Sequence, residues 1–153
     1  MNIKCEFSFN PIGNQEIEAF EKTFNFVLPD EYKRFLLCHN GGKTVQRRFE
    51  TKDETVTSSI MLFLPLCDEH KRNLEGYYKK YNSGKIVPSN FIPIGVDPAD
   101  SLICLSIKGE DKGAVYYCDL DYLEEDNELK QECMKLVSFS FSEFIHSLYQ
   151  TDN

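Results

Sequence analysis

The strongest constraint on the fold is a block of three apolar runs in the second half of the chain. These runs cover residues 91–96, 101–107 and 113–118, and their β-branched and aromatic side chains are typical of buried strands. A polar connection that begins and ends near glycine joins the last two runs. This pattern predicts an antiparallel hairpin, so we expect a β-sheet at the centre of the protein.

Two helices are predicted ahead of this block. Residues 14–25, with Asn14 as the N-cap, have apolar side chains at helical spacing on one face, namely Ile17, Phe20 and Phe24. A second helix begins at Pro29, because proline suits the first turn of a helix. Its predicted end is Asn-Gly-Gly at residues 40–42, where glycine takes the left-handed cap.

The remaining elements complete a single domain over residues 1–153. They are a polar edge strand or loop over 43–57, an apolar strand over 59–66, a helix over 68–82, an exposed acidic loop over 119–130 and a strand over 136–139. Ser140 and Glu143 fit a capping box that opens a C-terminal helix. The sequence therefore predicts an α+β fold with N-terminal helices, a central, mostly antiparallel sheet and a C-terminal helix.

The location of the protein is predicted from its N-terminus and its cysteines. The N-terminus lacks the apolar run of a signal peptide, and the longest apolar stretch, residues 60–66, is too short to span a bilayer. None of the six cysteines forms a CxxC motif, and several stand in apolar runs, which favours buried free thiols. We therefore expect a cytoplasmic protein with no membrane contact.

The acidity of the chain is confined to one segment. The formal charge is −8, and residues 97–128 contain ten acidic side chains against two basic ones, so the segment contains the entire excess. A segment of this charge repels nucleic acid and anionic membranes and attracts a basic partner. A solvated face without a partner is the competing interpretation.

Most motifs of catalysis and cofactor binding are missing. The three histidines are isolated from each other, and neither HExxH nor CxxC is present, so no metal site is predicted. No GxSxG elbow supports a serine hydrolase, and no glycine-rich loop supports a nucleotide cofactor. Residues 41–44 resemble the tail of a phosphate-binding loop, but they follow the predicted helix, so we interpret them as its cap.

Two weaker possibilities remain open at this point. A cysteine nucleophile paired with a distant histidine would be assembled by folding, although no cysteine stands in a recognisable signature. Asp119 and Asp121 would suit opportunistic binding of a divalent cation, but residues 124 and 130 break the EF-hand pattern. Short basic pairs such as Arg47-Arg48 stand in a balanced background and do not predict nucleic-acid binding.

Four short blocks resemble the SUKH superfamily of Smi/Knr-type domains. In chain order they are Leu28-Pro29-Asp30-Glu31-Tyr32 with Phe35-Leu36 and Asn40-Gly41-Gly42, then Phe91-Ile92-Pro93-Ile94-Gly95-x-Asp97 with Asp100-x-Leu102, then Gly113-x-Val115-Tyr116, and last Ser140-Phe141-x-Glu143-Phe144-Ile145. The blocks are spread over nearly the whole chain. As a whole, the chain is similar to small Bacillus immunity proteins of this superfamily.

The resemblance implies an α+β domain that acts by binding. Bacterial members are typically immunity proteins that neutralise a cognate polymorphic toxin, often a nuclease, whereas fungal relatives are hubs in cell-wall signalling. No catalytic residue, cofactor or direct nucleic-acid contact is implied. The expected partner is therefore a basic protein toxin, and the alternative is a general interaction module.

The acidic segment supplies the predicted toxin-binding residues, with one tyrosine inside it as an aromatic anchor. They are Asp97, Asp100, Asp119, Asp121, Tyr122, Glu124, Glu125, Asp126 and Glu128. The expected mechanism is steric and electrostatic blockade of the basic surface with which a nuclease holds phosphates.

Overall fold

The computed structural model describes residues 3–120 and 133–150 of the chain. Its strands are β1 (Cys5–Phe9), β2 (Asn40–Thr44), β3 (Arg48–Glu50), β4 (Thr57–Ser59), β5 (Leu62–Phe63), β6 (Phe91–Val96), β7 (Leu102–Ser106), β8 (Val115–Cys118) and β9 (Met134–Ser138). Its helices are α1 (Asn14–Phe24), α2 (Asp30–Cys38), α3 (Leu74–Tyr77), which continues into a π-helical turn (Tyr78–Ser83), and α4 (Phe141–Ser147).

Seven of these strands form one antiparallel sheet. Their order is β1-β2-β5-β6-β7-β8-β9, and each neighbouring pair runs antiparallel. A second, two-stranded sheet is formed by β3 and β4, and a bridge joins Arg48 of β3 to Tyr149. The predicted α+β class with a mostly antiparallel sheet is confirmed.

The centre of the sheet is buried on both faces. Every residue of β6 and of β7 is buried, which explains why the sequence shows continuous apolar runs there rather than alternation. Helices α2 and α4 meet through their aromatic rings, with 5.2 Å between the centroids of Phe35 and Phe141. Phe35 also contacts Phe63 of β5 at 4.9 Å, so this aromatic cluster fixes both helices to the sheet.

The predicted helix boundaries agree with the structure for α1 and α4. The N-cap of α1 is Gly13 rather than Asn14, and Gly13 N–H donates to Glu16 Oε2 at 2.9 Å. Ser140 caps α4 as predicted, since its Oγ accepts from the Glu143 amide at 3.1 Å. The Glu143 carboxylate accepts from the amide of Phe139 rather than from that of the N-cap Ser140, so the predicted capping box is only half formed.

The interpretation of Gly41 and Gly42 as a helix cap is wrong. Helix α2 ends at Cys38, and the glycines lie inside β2 with φ of +68° and +115°. A Cβ on Gly41 would lie 2.6 Å from the Phe63 carbonyl oxygen, and one on Gly42 would overlap the Phe7 carbonyl oxygen. Glycine is required because β2 passes unusually close to its neighbouring strands.

Other local predictions also need correction. The helix expected over 68–82 begins only at Leu74, where Asn73 Oδ1 accepts from the Gly76 amide at 2.7 Å. The strand predicted over 59–66 is replaced by the end of β4 at Ser59 and by the short β5, Leu62–Phe63. Strand β1 was not predicted, although Cys5, Phe7 and Phe9 alternate with Glu6 and Ser8 as in a strand.

The cysteines are free, but they are not uniformly buried. Cys104 and Cys118 are fully buried, whereas Cys38 is exposed and the other three are half-buried. The expectation that the thiols are core residues therefore applies to the pair on β7 and β8 and fails for Cys38, which lies at the surface end of α2.

The close approach at Gly42 is tested by comparing two glycine-to-alanine variants. Gly113 has a similar φ of +98°, but a Cβ there would meet nothing within 4 Å. We expect Gly113→Ala to lower the free energy of unfolding by about 1–2 kcal/mol through backbone strain alone. Gly42→Ala should cost at least about 3 kcal/mol, because the steric overlap adds to the same strain. Urea denaturation measures both values, and equal losses would contradict the proposed role of the close approach.

Candidate protein-binding site

Three of the nine predicted toxin-binding residues lie in the described part of the chain. These are Asp97, Asp100 and Asp119. The other six lie outside the described residues, namely Asp121, Tyr122, Glu124, Glu125, Asp126 and Glu128. The geometry of the site is therefore described from Asp97, Asp100 and Asp119.

The sheet topology brings these three aspartates to one end of the sheet. Asp97 directly follows β6, Asp100 lies in the turn before β7, and Asp119 directly follows β8. Leu102 at the start of β7 pairs with Cys118 at the end of β8, so the turn and Asp119 are neighbours. Cys118 also pairs with Met134, so β9 begins at this same end.

Asp97 is buried and organises the turn between β6 and β7. Its side chain is only 3% exposed. Oδ1 accepts from the amides of Ala99 at 2.9 Å and Ser101 at 2.8 Å. Oδ2 accepts from Ser58 Oγ at 2.9 Å and Tyr117 OH at 3.3 Å. The carboxylate is thus engaged by the protein's own donors, and its role here is to position the turn.

The electrostatics around Asp97 keep its tyrosine partner protonated. Burial, reinforced by the negative charges of Asp97 and Asp119, raises the pKa of Tyr117 to about 12. The phenol is therefore neutral at physiological pH and remains a hydrogen-bond donor. This donor links β8 to the turn that follows β6.

Asp100 is the exposed member of the group. Its backbone adopts a left-handed conformation with φ of +64°, which aspartate tolerates better than most residues. The side chain is 61% exposed, and its Oδ1 lies 2.9 Å from Nη2 of Arg72. An exposed ion pair of this kind contributes only about 0–1 kcal/mol, so a cation on a partner can replace Arg72 at little cost.

The described residues do not assemble a metal centre. Within residues 3–120 and 133–150, no group of three His, Cys, Asp or Glu side chains is arranged to hold a metal ion. No helix among these residues is long and apolar enough to cross a membrane. What the site offers chemically is a hydrogen-bonded turn with carboxylates at its surface.

A sequence model of the SMI1/KNR4 family (SUKH-1) matches residues 11–147, which include every helix from α1 to α4. The chain belongs to this family. The resemblance of the four sequence blocks to SUKH domains is thereby confirmed. No curated protein matches the sequence.

Membership of the SUKH family gives a general description of the protein. SUKH domains are immunity-type domains and are generally not enzymes. Asp97 and Asp100 both belong to the second block that carried the resemblance, and in this SUKH domain both shape the turn between β6 and β7. The signature residues thus identify the fold.

The sequence did not indicate Arg72 as the partner of Asp100, nor did it single out the exposed carboxylates of Asp68 and Glu69. Arg72 is separated from Asp100 by 27 intervening residues, so only folding brings them together. Asp68 and Glu69 lie in the part of the chain whose charges balance. No local pattern marked either feature.

The different roles of Asp97 and Asp100 are tested by making the same substitution at each. Asp97→Asn replaces one of two acceptor oxygens with an N–H donor. Either the hydroxyls of Ser58 and Tyr117 or the two backbone amides of the turn then lose their acceptor, so we expect the free energy of unfolding to fall by about 1.5–3 kcal/mol. Asp100→Asn removes an exposed ion pair and should cost less than about 1 kcal/mol. Chemical denaturation provides the measurement, and an Asp97→Asn protein as stable as Asp100→Asn would contradict the structural role of Asp97.

Proposed function

We propose that this SUKH domain is an immunity protein that acts in the cytoplasm by binding and neutralising a cognate polymorphic toxin. The toxin is expected to be a nuclease with a basic surface, which the domain covers. Family membership over residues 11–147 is the observation that carries the proposal.

The charge distribution supports a basic partner. The whole acidic excess of the chain lies in residues 97–128. Of its described members, Asp97, Asp100 and Asp119 lie at one end of the sheet, whereas Glu110 and Asp111 lie in the β7–β8 connection at the opposite end. A nuclease needs cations to hold phosphates, so an acidic surface competes for the same groups. Opposite charges also accelerate encounter, which suits an inhibitor that must act before the toxin damages its own cell.

Two of the six thiols, those of Cys5 and Cys104, do not favour the alternative of a cysteine enzyme. Burial raises the pKa of Cys104 well above its ordinary value, and it also raises the pKa of Cys5. A nucleophilic cysteine needs the opposite shift, because the thiolate is the reactive form. Neither of these two thiols therefore supports a cysteine enzyme, and family membership favours binding instead.

The mechanism assigns different roles to the aspartates of the turn. Asp97 holds the turn through four internal hydrogen bonds, and Asp100 offers its exposed carboxylate to the partner. A lysine or arginine of the toxin would take the place of Arg72 beside Asp100. Steric cover by the rest of the domain would then keep nucleic acid from the toxin's cationic surface.

The proposal is tested by co-expression with the toxin candidate encoded next to this gene. Cells that express both proteins should survive, whereas cells that express the toxin alone should not. A pull-down that recovers only housekeeping or signalling proteins, together with no protection, would favour the general interaction module instead.

Charge reversal tests the contribution of the acidic segment. The variant Asp121→Lys/Glu124→Lys/Glu125→Lys should bind the toxin at least about tenfold more weakly at low salt, which corresponds to about 1.4 kcal/mol. Its binding should also depend less steeply on ionic strength, because fewer opposite charges meet. Isothermal titration calorimetry at several salt concentrations measures both effects.

A matched control changes the same charge elsewhere. Glu18, Glu31 and Glu54 form no ion pair with any described residue. The Glu18→Lys/Glu31→Lys/Glu54→Lys protein should bind nearly as tightly as the unaltered domain. If both triple variants lose affinity equally, net charge rather than the acidic segment governs binding.

A further inference from the structure

A groove separates helix α1 from the chain that follows β5. It consists of two adjoining cavities of about 560 and 290 Å³, which share Leu66, Cys67 and Asp68 as a common wall. The larger cavity lies between residues 8–12 and 66–70, and the smaller one lies between α1 and the same wall. We call the two cavities together the acidic groove.

The floor of the acidic groove is aromatic. Phe9 lines the larger cavity and packs against His70, with ring centroids 5.0 Å apart. Phe24 lines the smaller cavity and packs against Tyr78 at 4.4 Å. Both phenylalanines are half-buried, so part of each ring remains open to the groove.

The two walls of the larger cavity are held together by one buried amide. Asn40 is 2% exposed, and its Nδ2 donates to the carbonyl oxygens of Asn10 at 2.9 Å and Leu66 at 3.2 Å. Its Oδ1 accepts from the Leu66 amide at 2.8 Å. Because one side chain ties both walls, the groove is preorganised and a ligand need not order it on binding.

The rim of the groove is anionic, and only Glu75 among its carboxylates pairs with a described cation. Four carboxylates line the two cavities, those of Glu16, Asp68, Glu69 and Glu75, and no lysine or arginine does so. The Glu16 carboxylate accepts a hydrogen bond from the amide of Gly13, the N-cap of α1. The Glu75 carboxylate lies 3.4 Å from Nζ of Lys79. Asp68 and Glu69 are exposed and make no ion pair or side-chain hydrogen bond with any described residue.

We propose that the acidic groove binds an arginine- or lysine-bearing segment of the toxin. The inference rests on the proposed function and places a second contact outside residues 97–128. A long basic side chain fits both parts of the groove, because its apolar stem covers Phe9 or Phe24 and its charged head reaches Asp68 or Glu69. An anionic ligand is disfavoured by four carboxylates around an apolar floor.

The groove also connects to the turn at the end of the sheet. Arg72 follows the groove wall in the chain and pairs with Asp100 at 2.9 Å. The His70 ring nitrogen Nδ1 accepts from the Arg72 amide at 3.2 Å, and Asn73 Nδ2 donates to the His70 carbonyl at 2.6 Å. Hydrogen bonds and this ion pair thus connect the wall of the acidic groove to Asp100. We therefore expect one partner to contact both the groove and the turn between β6 and β7.

The experiment uses a synthetic probe and the intact domain. The probe is the peptide acetyl-Arg-Leu-Arg-Leu-Arg-amide, titrated at low salt into ¹⁵N-labelled protein and followed by NMR. The largest changes in amide chemical shift should fall on residues of the groove, such as Cys67 and Asp68. The same peptide with glutamate in place of arginine should cause no change. Shifts spread evenly over the surface would overturn the inference.

Charge reversal at the rim gives the second measurement. Asp68→Lys/Glu69→Lys should weaken probe binding at least about tenfold, whereas the matched Glu18→Lys/Glu54→Lys protein should stay within about twofold of the unaltered domain. All four positions are exposed, so both variants should fold, and thermal denaturation verifies this. Equal probe affinity in the two variants would overturn the inference.

The same variants separate this inference from the proposed function. If the cognate toxin binds the Asp68→Lys/Glu69→Lys protein as tightly as the unaltered domain, the groove is not part of the interface and the immunity function stands. If no neighbouring toxin binds but the probe still docks in the groove, the immunity function fails and the basic-peptide site stands.

Discussion

The sheet depends on the close backbone approach at Gly41 and Gly42. Strand β2 lies between β1 and β5, and at these two positions no Cβ fits between it and the neighbouring backbones. The next residue toward α2 is Asn40, whose buried amide joins residues 10 and 66. One short stretch thus attaches β1 to the sheet and also fixes the walls of the acidic groove.

Acidic residues have two separate roles in this domain. Asp97 is buried, and its carboxylate holds the turn between β6 and β7 through hydrogen bonds. The carboxylates of Asp100, Asp68 and Glu69 are exposed at the surface. A buried carboxylate surrounded by donors stabilises a conformation, and an exposed one without a firm partner is available for binding. Charge alone, counted along the chain, does not distinguish these roles.

Much of the fold was predictable because its strongest signals are local. The runs that became β6, β7 and β8 are continuous and apolar, and the capping pattern at Ser140 lies within four residues. Strand β1 was missed although its residues alternate between apolar and polar, and Phe7 at its centre is exposed, so this alternation does not mark a buried face. The glycines were misassigned since a left-handed cap and a close strand contact both favour glycine, and only the neighbouring strands tell them apart.

The sequence by itself determined the α+β class, the family and the concentration of negative charge in residues 97–128. These properties depend on composition, on the order of the elements and on short motifs, all of which are read along one chain. Tertiary structure alone decided that Asp97 is buried and that Arg72 reaches Asp100. It also decided that Glu16 and Asp68 face one groove. These relations join residues far apart in sequence, so they exist only once the sheet and α1 have packed together.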